Sequence, residues 1–260
     1  MAETIRIETD ARGVATLTLA RAEKHNALSG PMIEEITVAA QELGADARVR
    51  VVVLAADGKS LCAGGDLGWM RDQMAADAAT RAAEARKLAG MLEGLNSLPK
   101  PLIGRVQGNA FGGGVGLACV CDVTIGVLDA RFGFTETKLG LIPATIGPHV
   151  IARLGAAMAR RVFMSARLFG AEEAVTLGVL ARAVATRDLD AAVEAEVTPY
   201  LACAPGAVAE AKALARSLGA GAEAQAIEAS IAALIQRWES AEAAEGIAAF
   251  FDKRAAAWTV

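Results

Sequence analysis

The sequence predicts an α/β fold, a layered or coiled series of β–β–α units followed by a helical C-terminal region. Three observations carry that expectation. Residues 49–56, VRVVVLAA, are a continuous, largely β-branched run of the kind buried on both faces of a parallel sheet. Strand, glycine turn and helix follow one another twice, around Gly64 and Gly65 and again around residues 112–114. From about residue 156 onward the pattern is nearly all helical.

Taken in order, TIRIET and VATLTLA are short alternating runs separated by residues 10–13, and they read as a β-hairpin. In SGPMIEEITVAAQELGAD, residues Ile33, Ile36, Ala40 and Leu43 share one helical face. Ser29 or Gly30 can cap that helix, Pro31 suits its first turn and Gly44 can end it. Residues 66–98 read as mostly helical, with an apolar stripe of Leu88, Met91, Leu92 and Leu95 that stops at PKP. LIGRVQG returns as a strand, a helix runs from the glycine cluster to about Cys121, and VTIGVL is another strand. DAAVEAEV, GAVAEAKALARSL and EAAEGIAAFFDKRAAAW are helix-forming and apolar enough to require a surface, on their own core or on another subunit.

A chain of 260 residues buries a sizeable core, and 54% hydrophobic residues with only 4% aromatics exclude a disordered protein. The formal charge of −4 predicts no attraction to nucleic acid or to an anionic membrane. No stretch approaches about 18 uninterrupted strongly apolar residues, so no transmembrane helix is expected. MAETIRIETD has early acids and no apolar core, unlike a secretory signal. Cys62, Cys119, Cys121 and Cys203 read as reduced, buried, inert thiols of a cytoplasmic protein. Cys119 and Cys121 lack a second ligand pair, so no metal site is expected.

The two glycine turns, LCAGGDLGWM and GNAFGGGVG, each stand where a strand hands over to a helix. At such a point backbone N–H groups lack intrahelical partners and the helix dipole is positive. Two such amides aimed at one oxygen would make an oxyanion hole. Tight turns with close helix–strand packing explain the same glycines, and so does a phosphate cradle. The second turn does not match GxGxxG, and GxxxxGK[ST] is absent, which weakens the nucleotide reading.

CAGGDL and GNAFGGGVGLACVCD, together with RAEKHNALS, LPKPLIGRVQG, ARFGFTETKLGLIP, GAEEAVTLGVL and EGIAAFFDKR, closely resemble the enoyl-CoA hydratase/isomerase (crotonase) family over nearly the whole chain. The resemblance implies a crotonase-like spiral of repeated β–β–α units over residues 1–195. It also implies a C-terminal helical trimerisation region over 196–260, packing on the core or on a neighbouring subunit. It further implies an acyl-CoA thioester whose carbonyl oxygen sits between the amides of Gly65 and Gly113. Glu136, in FTETKLG, matches one of the family's two glutamates, whereas the other falls on Gly116. A glutamate near a helix start is equally well a solvated cap with Thr135 beside it. Its place in the motif makes Glu136 the expected acid/base.

The resemblance is strongest to the branch that hydrates methylglutaconyl-CoA and isohexenylglutaconyl-CoA, in which glycine can hold the place of the second glutamate. It therefore implies a hydratase, in fatty acid metabolism or leucine degradation. The alternatives are a Δ3–Δ2-enoyl-CoA isomerase using one glutamate and a non-catalytic acyl-CoA-binding protein. Implied substrate-binding positions are Lys24, Ala27, Ala63, Asp66, Leu67, Gly112, Phe251 and Lys253. Arg71, Lys138 and His149 are sequence-plausible partners for a distal carboxylate, each equally a surface or helix-end residue. Coenzyme A belongs to the substrate, so no separate cofactor is implied. The implied assembly is a homotrimer or dimer of trimers.

Overall fold

The structure, a computed structural model, describes residues 3–219 and 224–259. Strands β1 (Ile5–Thr9) and β2 (Val14–Leu19) form the expected antiparallel hairpin. Helix α1 (Gly30–Ala45) starts where Ser29 accepts a hydrogen bond from the Met32 amide, and it buries Ile33, Ile36, Ala40 and Leu43. It runs one residue past Gly44, with Asp46 as its C-cap.

Three β–β–α units follow. The first contains β3 (Val51–Ala56), β4 (Ser60–Cys62), α2 (Leu67–Ala75) and α3 (Ala78–Asn96). The second contains β5 (Leu102–Val106), β6 (Asn109–Phe111) and α4 (Gly113–Val120). The third contains β7 (Val123–Val127), β8 (Arg131–Gly133), a 3-10 turn at Glu136–Leu139 and α5 (Gly147–Phe163). The third unit was not legible as a repeat, because its turn, FTET, carries no glycine pair. The helical stretch expected at 66–98 is two helices. Asp77 caps the second by accepting from the Thr80 amide at 2.8 Å.

In each unit the first strand enters a large sheet and the second a small one. The large sheet has the order β1-β2-β3-β5-β7-β10, the last being Arg182–Val184, and is parallel from β2 onward. Every residue of β3 is buried, as its β-branched run predicts. The small sheet has the order β4-β6-β8-β9, the last being Phe169–Gly170. Its first three strands are parallel, so their C-terminal ends lie side by side.

The region after 156 is not all helix. β9 (Phe169–Gly170) pairs antiparallel with β8, and β10 (Arg182–Val184) pairs with β7. Strands this short have too few residues to show a period of two, and partner edges define them. Between and after them come α6 (Ala171–Leu177), α7 (Leu189–Leu201), α8 (Pro205–Leu218), α9 (Ala224–Trp238) and α10 (Ala241–Phe251).

Part of the apolar tail packs on the same chain, while Leu214, Leu218 and Phe250 remain exposed. Ile231 of α9 packs with Ala82, Ala85 and Ala89 of α3. Helix α10 lies on the 136–139 turn so closely that a Cβ on Gly246 would meet the Leu139 backbone at 2.6 Å. No described helix is long and apolar enough to cross a membrane.

Cys62, Cys119 and Cys121 are buried, and burial pushes each thiol up to about 12, so they stay protonated and inert. Cys203 departs from expectation: it lies exposed beyond the end of α7, just before α8 begins.

Candidate active site

The site lies where β4, β6 and β8 end together. Each strand gives way to a turn, and because the strands are neighbours the turns are neighbours too. A Cβ on Gly64 would lie 3.3 Å from the Phe111 carbonyl oxygen and 4.0 Å from the Gly113 nitrogen. The Gly112 amide donates to the Gly133 carbonyl at 2.9 Å, which ties the second turn to the third.

The three consecutive glycines answer to three different constraints. Gly112 has φ +49°, and a Cβ there would stand 2.9 Å from Glu136 Oε1. On Gly113 a Cβ would meet Leu28 Cδ1 at 2.7 Å, and on Gly114 the Cys62 carbonyl oxygen at 2.3 Å. Backbone therefore approaches backbone and carboxyl at distances no side chain allows.

The first turn is held by a short parallel bridge. Leu28 N donates to Gly64 O at 2.7 Å, and Asp66 N donates to Leu28 O at 2.9 Å. The Gly65 amide between them has no acceptor among the described residues, and neither has the Gly113 amide at the start of α4. The Asp66 carboxylate caps α2 through the Gly68 and Trp69 amides, at 2.8 and 3.4 Å. It also accepts from Arg21 at 3.0 Å. Burial pulls its pKa upward, but the Arg21 guanidinium and the two amides outweigh burial and hold it below the usual carboxylate range.

Glu136 opens the third turn. Its Oε2 is sealed from solvent and has no hydrogen-bond partner among the described residues. Burial pushes its pKa up to about 7, opposed only by a bond to its own amide. It is no solvated cap, and the Thr135 side chain makes no capping bond to this turn.

Gly65, Gly112, Gly113 and Glu136 line one cavity of about 160 Å³. Leu28 and Ile33, Trp69 and Met70, Leu88, Thr135, Leu139, residues 141–146, and Leu234 and Trp238 of α9 complete its wall. A carbonyl oxygen placed here can accept from two amides within reach of one neutral or ionised carboxyl.

The other expected positions lie around this core. Ala27 is buried beside Leu28, and Ala63 donates to the His25 carbonyl at 3.0 Å. Leu67 is exposed at the start of α2, and Lys24 is exposed in the 3-10 turn Ala22–Lys24. Phe251 packs near Leu139 and Leu141, with the Arg71 guanidinium 4.5 Å over its ring. Lys253 is exposed beyond the end of α10.

None of Arg71, Lys138 and His149 lines the cavity. His149 is buried rather than at the surface, against a separate cavity of about 520 Å³ between α5 and α8. That larger cavity holds neither glycine turn nor Glu136.

Sequence reasoning missed Asn26, Ile146, Leu234 and Trp238. Asn26 has φ +52°, and its amide donates to the Asp57 and Ser60 carbonyls at 2.8 and 2.9 Å, which locks the RAEKHNAL loop against β4. An asparagine between a turn and an apolar run was its one available signal. Among the described residues no group of three or more His, Cys, Asp or Glu side chains is gathered to hold a metal ion.

Comparison with known proteins gives the same class. The chain is 33% identical to a probable enoyl-CoA hydratase from Mycobacterium bovis, across 99% of this chain and 98% of the relative. It is 36% identical to an enoyl-CoA hydratase from Shewanella pealeana whose crystal structure superposes with a TM-score of 0.81, covering 99% of this chain and 96% of that one. It is 30% identical to the mitochondrial methylglutaconyl-CoA hydratase of Mus musculus, over 67% of this chain and 55% of that protein.

The two-sheet spiral with its site at three adjacent turns is the crotonase fold, and the protein is an enzyme of that class. It belongs to the enoyl-CoA hydratase/isomerase family, whose sequence model matches residues 9–260.

Proposed function

We propose that the protein hydrates the α,β double bond of an enoyl-CoA thioester. What supports this reading is that one cavity is lined by Gly65 and Gly113, whose amides have no acceptor among the described residues, and by Glu136, whose Oε2 is sealed and unpartnered among them. The thioester carbonyl oxygen accepts from both amides. Glu136 holds a water and takes its proton as the water oxygen bonds to the β-carbon. The electron pair of the double bond moves toward the carbonyl, and the enolate oxygen so formed is stabilised by about 3–4 kcal/mol per amide donor. The neutral Glu136 carboxyl then gives its proton to the α-carbon, which completes the addition of water and restores the carboxylate. A pKa of about 7 suits a group that must both take and give a proton near neutrality.

A methylglutaconyl-like acyl group is supported by the resemblance of the motifs and by the likeness to the mouse protein. Its distal carboxylate needs a cation or amide donors. Among the described residues the cavity lining carries no Lys, Arg or His, its polar side chains besides Glu136 being Thr135, Thr145 and two tryptophans. A hydrocarbon-tailed enoyl group is therefore the better fit. Incubation with crotonyl-CoA and 3-methylglutaconyl-CoA tests the reading. Loss of the conjugated thioester absorbance with a mass gain of one water is expected, and neither should occur with Glu136→Gln. Equal rates in both proteins would exclude the role given to Glu136.

Gly116 favours a second reading, since a lone carboxyl also suffices to move a double bond. Glu136 would take the α-proton of a 3-enoyl thioester and return it to the γ-carbon. Conjugation of a 3-enoyl-CoA without change of mass, and no hydration of crotonyl-CoA, would establish it in place of the first. The trimer or dimer of trimers is supported by the exposed apolar side chains of Ile151, Met158, Met164 and Leu168. A monomeric mass by light scattering would remove it.

A further inference from the structure

Ile146 stands just before α5, 3% exposed, on the wall of the Glu136 cavity. Its Cγ2 lies 2.6 Å, and its Cβ 3.0 Å, from the point where a Cβ on Gly116 would sit. Leu92 Cδ2 is 3.8 Å from the same point. The volume into which residue 116 would project is thus filled from the opposite side by an isoleucine. No acid, amide or hydroxyl can enter the pocket from this turn of α4. Leu88, Leu234 and Trp238 line the same cavity, and its only charged lining residue among those described is Glu136.

We propose that Ile146, seated in the space left by Gly116, determines which acyl group the pocket takes: it selects hydrocarbon tails and turns away tails that end in a carboxylate. This rests on the cavity receiving an acyl thioester, as argued above, but not on the reaction that follows. A methyl or methylene against this wall gains by leaving water. A carboxylate in the same place loses its hydration and meets no cation in the described lining, only the carboxyl of Glu136. Pocket contacts of this kind discriminate by about 10- to 200-fold per methylene-sized change.

Calorimetric titration with saturated thioesters, which cannot be hydrated, tests the proposal apart from turnover. Valeryl-CoA and glutaryl-CoA have acyl chains of equal length and differ in a terminal methyl against a carboxylate. The wild-type protein is expected to bind valeryl-CoA at least tenfold more tightly. Ile146→Thr, which sets a hydroxyl in the wall, should narrow that ratio at least threefold. Ile146→Ala should raise the affinity for octanoyl-CoA relative to valeryl-CoA at least fivefold.

A wild-type ratio near one overturns the proposal. So do unchanged ratios in variants whose melting temperatures stay close to wild type. Should either variant fail to fold, Ile146→Val carries the octanoyl-to-valeryl comparison, with a smaller shift of the same sign expected and an unchanged ratio again overturning the proposal. Failure of crotonyl-CoA to gain water would sink the hydratase reading while leaving these binding ratios to be read.

Discussion

Glu136 Oε1 stands 2.9 Å from where a Cβ on Gly112 would lie, so the carboxyl rests directly on the backbone of the turn that presents the Gly113 amide. Proton carrier and hydrogen-bond donor are therefore positioned by one contact. Gly112→Ala should disturb both, because Gly112 also has φ +49°. A displacement of the order of 1 Å costs about 100-fold in rate. The expected result is a fall of about that size in kcat on crotonyl-CoA, with coenzyme A affinity less affected.

Glu136 predicts a pH dependence of rate. The carboxylate form must accept the proton of water, and burial places its pKa at about 7. The kcat/KM for hydration should rise with pH through about 7 and then level. Glu136→Gln should remove the rise and lower kcat by about 100- to 10,000-fold.

The same burial carries a stability consequence. The unfolded carboxyl ionises near 4.5, whereas the folded one resists until about 7. The contribution is therefore complete below pH about 4.5 and is lost as pH rises through 7, by about 3 kcal/mol in all. Glu136→Gln should accordingly melt higher than wild type at pH 8 and nearly the same at pH 4.5, by scanning calorimetry.

His149 should act in the opposite direction. Both its ring nitrogens are buried without a hydrogen-bond partner among the described residues. Burial lowers its pKa, with Glu93 opposing and Arg216 adding to the effect. The unfolded chain takes up a proton that the folded one refuses, so stability should fall as pH drops below about 6.5. His149→Leu should flatten that fall. Melting temperatures at pH 5 and 7 for the two proteins check it.

Asp66 holds the first turn through Arg21 and two α2 amides. Asp66→Ala leaves those donors unpaired and removes the cap, a loss of about 1–3 kcal/mol. Because Gly65 is the preceding residue, kcat should fall as well, beyond what a surface substitution causes. Gly116→Glu should not raise activity: Ile146 occupies the place of the new side chain, and overpacking costs about 1–3 kcal/mol. A gain in hydration rate on that substitution would contradict the geometry.

Much of this protein was legible in its residues. The β-branched run of β3, the Ser29 cap, the hairpin and the two glycine turns each specify local backbone, because their signals are periodicity, capping and steric freedom. The motif also singled out Glu136 and the absence of a carboxylate at Gly116. Long-range matters were not legible. The third repeat, the edge strand β10 and the docking of α9 and α10 over the site are settled by which surfaces meet, and no local pattern encodes that.

The chain's order of residues alone determined that two amide-bearing turns and one acid exist. Only the tertiary structure decided that they face one cavity, because that depends on β4, β6 and β8 lying parallel and adjacent in the small sheet. It also decided that one oxygen of the acid, Glu136 Oε2, is sealed from water and that Ile146 fills the space beside Gly116. Burial and close packing are properties of segments far apart in sequence, and they come into being only when those segments pack.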